Sequence, residues 1–378
     1  DYTLASNSNL NGQGVHQLLA GTLTISGNLV AGLLNFNSGT LAGTHTLHGN
    51  YGWSGSSWNS AGTTTIASDG VLNITGAADH NFSTRAVASN GTVNWQGGFL
   101  RSGNSGSFTN ASGAVFNDSA SSHIDNPFGG GFSVTNNGTF NKTAAGITHL
   151  DVAFTNSGVV NVQAGEFRLN GGGSNASTGF FNTAAGATTT INSGYSLADG
   201  TQLTGPGSYQ LISGGLTVSG NLFASLLNIV GGQLAGTHTL QGSYAWSGGD
   251  WNTGGTTTIA SGGVLNIVGA GDHNFSSRQV MNTGVTNWQG GFIRSGNAGT
   301  LTNAAGAFFY DSASSHIDNP FGGSFVFTNN GTFSKTAVGT TFLDVPFNNN
   351  ANVNIQAGEF RLNGGGTNFP TGSFNASL

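Results

Sequence analysis

The feature that most constrains this chain is a long internal repeat, in which one unit is written twice. Asp118–Gly130 reads DSASSHIDNPFGG and returns letter for letter as Asp311–Gly323. Gln163–Gly173 returns in the same way as Gln356–Gly366. Both pairs lie 193 residues apart (311 − 118 and 356 − 163), so the copies align without a gap. Repeated chains fold as stacked equivalent units, and we expect two such units, residues 1–193 and 194–378, in one continuous rod.

A shorter period lies inside each copy. Glycine, any residue, an apolar residue and asparagine recur in that order, as at Gly70–Ile74, Gly91–Trp95 and Gly158–Val162. Alternating apolar positions indicate short strands with one buried face, and the Gly-rich boundaries favour turns. The sequence therefore predicts an all-β, single-chain parallel β-solenoid, a right-handed β-helix of about 16–18 turns of ~21 residues. Stacked turns would place asparagine on asparagine and phenylalanine on phenylalanine at a spacing of ~4.8 Å.

The composition excludes several classes of protein. The chain has 65 glycines, no cysteine, eight Lys and Arg residues and a net charge of −6. Without cysteine there is no disulfide scaffold, zinc finger or iron–sulfur site. So few basic residues argue against a nucleic-acid partner, and no apolar run approaches the ~18 residues of a membrane span. Asp-x-Asp calcium motifs are also missing, so we expect neither a cofactor nor a metal ion.

Several phrases resemble those of a known protein class. Phe154–Gly165, Thr135–Phe140 and Gly62–Ser68 are similar to the β-strand repeats of large bacterial surface proteins of the filamentous-haemagglutinin and autotransporter-passenger type. The resemblance implies secretion, an extracellular or cell-surface location, and work as a stalk, adhesin or matrix fibre. It brings no catalytic residues with it.

A column of aromatic and basic residues is the candidate ligand-binding site. Its members lie 22, 21 and 22 residues apart in the first copy and recur in the second: Trp58, His80, Arg101 and His123, then Trp251, His273, Arg294 and His316. If the turns stack in register, these side chains share one face, where Trp would stack on sugar rings and Arg and His would donate hydrogen bonds to hydroxyls. The alternative is that Trp58 caps a turn corner and the other side chains are solvated.

The acidic residues are the candidates for catalysis. β-Helix enzymes that act on polysaccharides need carboxylates that converge in one groove. Stacked turns would bring Asp79 and Asp125 within reach of Arg101, whereas Glu166–Arg168 has no second acid nearby in sequence. The alternative is a set of solvated pairs that limit aggregation of a nearly neutral protein. Because the set occurs in both copies rather than in one cleft, we predict no catalytic residues.

Three functions follow, in order of preference. The first is a non-enzymatic extracellular structural protein, a fibre, stalk or matrix subunit. Both ends of the sequence fall inside the repeat pattern, so we expect such a subunit to extend head to tail by β-stacking, or to adjoin further repeats of a longer array. The second is an adhesin segment that binds a surface glycan through the aromatic and basic column. The third is a polysaccharide-degrading enzyme.

Overall fold

The computed structural model describes residues 1–377, in which every regular element is a β-strand. The first 25 strands are β1 (Tyr2–Leu4), β2 (Ser8–Leu10), β3 (His16–Leu18), β4 (Thr22–Ile25), β5 (Gly27–Phe36), β6 (Thr40–Ala42), β7 (His45–Trp53), β8 (Gly62–Ile66), β9 (Val71–Ile74), β10 (His80–Asn81), β11 (Arg85–Ser89), β12 (Thr92–Trp95), β13 (Leu100–Arg101), β14 (Gly106–Asn110), β15 (Val115–Asp118), β16 (His123–Asp125), β17 (Phe132–Asn136), β18 (Thr139–Lys142), β19 (Ile147–Leu150), β20 (Ala153–Asn156), β21 (Val159–Val162), β22 (Glu166–Leu169), β23 (Gly173–Asn175), β24 (Phe180–Thr183) and β25 (Thr188–Ile191).

The remaining strands repeat this pattern in the second copy of the sequence. They are β26 (Tyr195–Leu197), β27 (Thr201–Thr204), β28 (Ser208–Leu211), β29 (Gly215–Val218), β30 (Gly220–Ile229), β31 (Gln233–Ala235), β32 (His238–Trp246), β33 (Gly255–Ile259), β34 (Val264–Ile267), β35 (His273–Asn274), β36 (Arg278–Asn282), β37 (Val285–Trp288), β38 (Ile293–Arg294), β39 (Gly299–Asn303), β40 (Phe308–Asp311), β41 (His316–Asp318), β42 (Phe325–Asn329), β43 (Thr332–Lys335), β44 (Thr340–Leu343), β45 (Phe347–Asn349), β46 (Asn352–Ile355), β47 (Glu359–Leu362), β48 (Gly366–Asn368) and β49 (Ser373–Ala376).

The strands coil into a parallel β-solenoid of about 18 turns with about 21 residues in each turn. This confirms the predicted fold class, while the handedness stays a prediction. The chain divides into two compact units, Asp1–Thr190 with Gly205–Gly207, and Ile191–Thr204 with Ser208–Leu378. Among residues 1–377, no helix is long and apolar enough to cross a membrane.

Three strands make one regular turn, and each strand pairs with the strand three places further along. In the first unit β11 pairs with β14, β12 with β15, and β13 with β16. The second unit repeats this with β36 and β39, β37 and β40, and β38 and β41. Alternate residues of each strand face inward, as Leu72 and Ile74 do in β9, so that the short parallel strands of each turn surround an apolar core.

Glycine allows the longest strands to bend. β5 and β7 pair with a shift of register between Ala31 and Leu34. At this bend Gly49 has a φ of 96°, and a Cβ atom there would lie 2.0 Å from the carbonyl oxygen of Ala31. Gly242 occupies the matching position of the second unit, with a φ of 94°. Only glycine tolerates both the left-handed backbone and the close approach, so Gly49 and Gly242 each fix the position of a bend in their turn.

Aromatic side chains stack between turns in the core. Phe116 and Phe140 lie with ring centroids 4.7 Å apart and planes 14° apart, and Phe309 and Phe333 form the matching pair at 5.3 Å. These contacts confirm the predicted stacking of phenylalanine on phenylalanine. Each pair joins two successive turns, because the parallel register places Phe116 directly opposite Phe140.

Asparagine also stacks on asparagine, as predicted. A buried ladder in the first unit runs from Asn110 through Asn136 and Asn156 to Asn175, each Nδ2 donating to the Oδ1 of the next at 2.7–2.8 Å. Asn136 Nδ2 also donates to the carbonyl oxygen of Val159 at 3.1 Å. The ladder therefore satisfies polar groups at a buried corner of the coil, where unpaired groups would be costly.

A substitution in this ladder tests its contribution to stability. We expect Asn136→Ala to lower the free energy of unfolding by about 2–4 kcal/mol, because buried amide and carbonyl groups lose their partners. The control is Asn141→Ala in the half-buried outer ladder, where Asn141 donates to Asn117 at 2.9 Å. Its cost should be about 1 kcal/mol or less, since water replaces the lost bonds. Equal costs in urea denaturation would contradict this ranking.

Candidate functional site

The predicted aromatic and basic column does not form one exposed face. Trp58 and His80 are fully buried in the first unit. The same holds for Trp251 and His273 in the second unit. The prediction that these side chains share one sugar-binding surface is therefore wrong. Four members of the column reach solvent: Arg101, His123, Arg294 and His316.

The reason is that the turns differ in length, so a constant spacing in sequence does not follow one column of the sheet. His80 pairs with Leu100, and Leu100 pairs with Ile124, which makes this an inward-facing column. Arg101 is one residue further along and faces outward. Trp58 instead stacks on Trp53 inside the coil, with ring centroids 3.9 Å apart.

The acidic candidates lie in a row of ion pairs on the outer surface of the coil. Arg101 Nη1 contacts Asp79 Oδ2 at 2.6 Å, and Arg101 Nε lies 3.2 Å from Asp125 Oδ1. The guanidinium also lies over the ring of Phe99, 4.5 Å from its centroid. Burial raises the pKa of Asp125, and the charge of Arg101 opposes that rise. One arginine thus links carboxylates from the turns on either side of it.

The second unit repeats the row. Arg294 contacts Asp272 at 2.5 Å and lies 3.3 Å from Asp318, with its guanidinium over Phe292. The predicted meeting of Asp79, Arg101 and Asp125 is confirmed. In both copies the arginine engages both carboxylates, so the row joins three successive turns.

A second row on the outer surface contains two histidines. His123 was a predicted site residue, whereas His149 was not. His123 and His149 pair across adjacent turns, and their rings stack 4.1 Å apart with planes 4° apart. His123 Nδ1 lies 2.6 Å from Asp151 Oδ2, and Asn170 Nδ2 donates to Asp151 Oδ1 at 2.7 Å. Burial, and next the neighbouring His123, lower the pKa of His149. We call His123, His149 and Asp151 the histidine row.

The sequence carried a signal for this row that a one-turn search missed. The tripeptide His123–Asp125 is followed 26 residues later by His149–Asp151, which again reads histidine, apolar residue, aspartate. The loop between Asp125 and Phe132 lengthens that turn beyond 21–22 residues. A search for the His-x-Asp pattern, rather than for a fixed spacing, would have found His149 and Asp151.

The two units differ in this row at one position. Phe342 occupies the place of His149, and its ring stacks on His316 with centroids 4.3 Å apart. His316 Nδ1 still lies 2.7 Å from Asp344 Oδ2. The second unit therefore keeps one histidine and the carboxylate but loses the second imidazole.

Other charged side chains are buried and hold irregular parts of the coil. Arg85 is fully buried and donates to the carbonyl oxygens of Trp58 and Gly43 at 3.1 and 2.9 Å and to the hydroxyl of Thr64 at 3.0 Å. The same hydroxyl lies 3.0 Å from His45 Nε2. Burial lowers the pKa of Arg85 to about 10. This guanidinium satisfies carbonyl groups that no strand partner reaches.

Asp118 and Lys142 form a second buried polar cluster. They stand opposite each other in the register of β15 and β18, and both are fully buried. Asp118 accepts from Thr148 at 2.5 Å, while Lys142 donates to Ser121 at 3.0 Å and to the carbonyl oxygen of Ala144. Burial raises the pKa of Asp118, against the attraction of Lys142. These contacts fix the loop that leads into β16 and so position His123.

Buried neutral histidines predict a loss of stability in mild acid. Burial lowers the pKa of His45 to about 3 and those of His80, His238 and His273 to about 4. Their contribution is complete above the ordinary value of 6.5 and is lost as the pH falls from 6.5 toward 4, because the unfolded chain takes up protons first. Each histidine contributes at most about 1.4 kcal/mol per pH unit in that window.

The measurement is urea denaturation at pH 7.5 and pH 5.5, with lower stability expected at pH 5.5. The raised pKa values of Asp118, Asp125, Asp311 and Asp318 act in the opposite direction, but the ordinary pKa of these carboxyls, 3.8, lies below this pH window, whereas the ordinary histidine value of 6.5 lies inside it. His45→Gln/His238→Gln keeps an acceptor for Thr64 and Thr257 and should weaken the pH dependence. Equal or greater stability at pH 5.5 would refute the assignment of neutral buried histidines.

In comparisons with known proteins, no family model matches the chain and no curated protein is significantly similar to it.

Proposed function

We propose that this chain is a non-enzymatic structural protein of an extracellular assembly, a fibre, stalk or matrix subunit that lengthens by end-to-end β-stacking with further copies of itself. The observation that carries the proposal is the use of polar side chains between successive turns. Asparagine ladders and the Asp79–Arg101–Asp125 row connect each turn to the next. The extracellular location is supported by the resemblance of its phrases to bacterial surface repeats.

The two copies support this reading because they repeat the same connections. Asn303, Asn329, Asn349 and Asn368 form a ladder at 2.8 Å that matches the one in the first unit. Arg278 is buried like Arg85 and donates to the corresponding carbonyl oxygens of Trp251 and Gly236. Contacts that scale with the number of turns suit a function that depends on length.

One face of the second unit is suited to receive another turn. In the first unit Phe167, Leu169 and Phe181 are at most 1% exposed, and Thr190 in β25, one turn further along, donates to Glu166 at 2.6 Å. The matching Leu362 in β47 is 45% exposed, and Phe374 in β49 is 41% exposed. The face formed by β47 and β49 therefore has the apolar side chains that a further parallel turn covers in the first unit.

The partner for this face is a turn of the same kind. In the first unit, β1 pairs with β4, and Tyr2 is 69% exposed. Contact between β47–β49 of one molecule and β1–β3 of another would use two different surfaces. Such a contact does not close on itself, so it gives filaments rather than dimers.

Light scattering and electron microscopy over a range of protein concentrations test the proposal. The wild-type chain should form particles whose length grows with concentration, and Leu362→Lys/Phe374→Lys should remain single because lysine charges would be buried at the junction. Phe128→Lys/Phe321→Lys is the control, since both side chains are exposed on loops elsewhere. It should assemble like the wild type.

Two results would contradict the proposal. One is a wild-type chain that stays single at every concentration. The other is equal assembly of the Leu362→Lys/Phe374→Lys variant. Circular dichroism of each variant establishes that the β-solenoid is retained, so that loss of assembly is not loss of fold.

A further inference from the structure

The histidine row brings three ligand groups of a transition-metal site together on the surface of the first unit. One ring nitrogen each from His123 and His149 and one carboxylate oxygen of Asp151 all lie within 4.8 Å of one another. Imidazole and carboxylate are ligands that Zn²⁺ prefers, and three protein ligands plus a water molecule are a common zinc arrangement. We propose that His123, His149 and Asp151 bind one divalent transition-metal ion, with Zn²⁺ as the fitting example. Composition alone did not lead us to expect a metal ion.

The backbone holds the ligands in place before any ion binds. His123 and His149 pair directly across adjacent strands β16 and β19, which fixes the separation of their backbones. Asp151 follows His149 by two residues, and its Oδ2 already faces His123 Nδ1 at 2.6 Å. Three ligands from two adjacent turns therefore lie on one side of the coil, and binding needs only side-chain movement.

The required movement is small. With bonds of ~2.0–2.1 Å, a tetrahedral zinc ion holds neighbouring ligand atoms about 3.3 Å apart. The gap between His123 Nδ1 and Asp151 Oδ2 opens from 2.6 Å, and the ion takes the place of the proton that these two atoms share. The stacked rings of His123 and His149, 4.1 Å apart and nearly parallel, tilt so that each nitrogen lone pair points at the ion. The proton leaves Nδ1 for solvent, and Nε2 carries the one remaining ring proton, so that His123 binds the ion as a neutral imidazole.

A neighbouring amide orients the carboxylate. Asn170 Nδ2 donates to Asp151 Oδ1 at 2.7 Å and also lies 3.3 Å from His149 Nδ1, so Oδ2 of Asp151 is left as the carboxylate atom for the metal. Hydrogen bonds of this kind orient metal-ligating side chains and typically change affinity by about 10–100-fold when removed. The neighbouring Asp125 is engaged by Arg101 and is not needed as a ligand.

The second unit supplies an internal comparison. Phe342 stands where His149 stands in the first unit, while His316, Asp344 and Asn363 keep the other positions. Asn363 donates to Asp344 Oδ1 at 2.8 Å, as Asn170 does to Asp151. The chain should therefore bind one ion, and a single substitution in the second unit should create a second site.

Calorimetric titration of untagged protein with Zn²⁺ tests this inference. The wild type should bind one ion per chain, His149→Phe should bind at least about 10-fold more weakly, and Phe342→His should bind two. The control His48→Phe removes a different exposed histidine, 2.8 Å from Asp69, and should leave the binding unchanged. Both Phe and His occur at this position of the repeat, so neither site variant threatens the fold.

A second readout uses Co²⁺ in place of Zn²⁺. Visible absorption of tetrahedral Co²⁺ should appear with the wild type, disappear with His149→Phe and double with Phe342→His. The inference is overturned if the wild type binds no ion, if His149→Phe retains full affinity, or if Phe342→His still binds only one. These outcomes are independent of end-to-end assembly, because the histidine row lies on the side of the first unit.

Discussion

Parallel pairing between successive turns is the constraint on which the rest of this structure depends. It places each side chain above its counterpart at a spacing of ~4.8 Å, so a residue must tolerate contact with its own kind or with a complementary partner. Asparagine meets this demand because its amide both donates and accepts, as in the ladder through Asn136 and Asn156. Charges meet it only by alternating in sign, as in Asp79, Arg101 and Asp125. Columns, rather than single residues, are the units of chemistry here.

The fold was predictable from the sequence because the period of glycine and asparagine directly reflects the length of a turn. Asparagine and phenylalanine stacking followed from that period, and both are present. The prediction of one exposed aromatic and basic column was wrong for a physical reason. Hydrogen bonds set the register of a strand, and a shift of one residue turns every side chain to the other face. His80 pairs with Leu100, one residue before Arg101, and so it points inward. Turn lengths between strands, which a single sequence does not reveal, decide such details.

Buried charges reflect the same constraint where the coil is irregular. The segment between β7 and β8 contains no regular strand, and Arg85 donates to the carbonyl oxygens of Trp58 in this segment and of Gly43 in the turn before β7. Burial of a guanidinium without a carboxylate costs free energy, which these hydrogen bonds offset. The sequence marks Arg85 only by its recurrence as Arg278 in the second copy. Its role depends on carbonyl groups left without strand partners, and those follow from the three-dimensional path of the chain.

Comparison of the two copies ranks these interactions by what each unit retains. Every asparagine of the buried ladder in the first unit has an asparagine counterpart in the second, whereas the outer ladder is interrupted by Tyr310 and Ser334. Water can satisfy an amide in the outer ladder but not one at the buried corner, so only the buried ladder is costly to lose. Phe342 stands in the second unit where His149 stands in the first, and each ring stacks on the histidine of the preceding turn. Stacking alone therefore does not require a histidine at 149, and what the histidine adds is its ring nitrogens, of which Nδ1 lies 3.3 Å from Asn170 Nδ2.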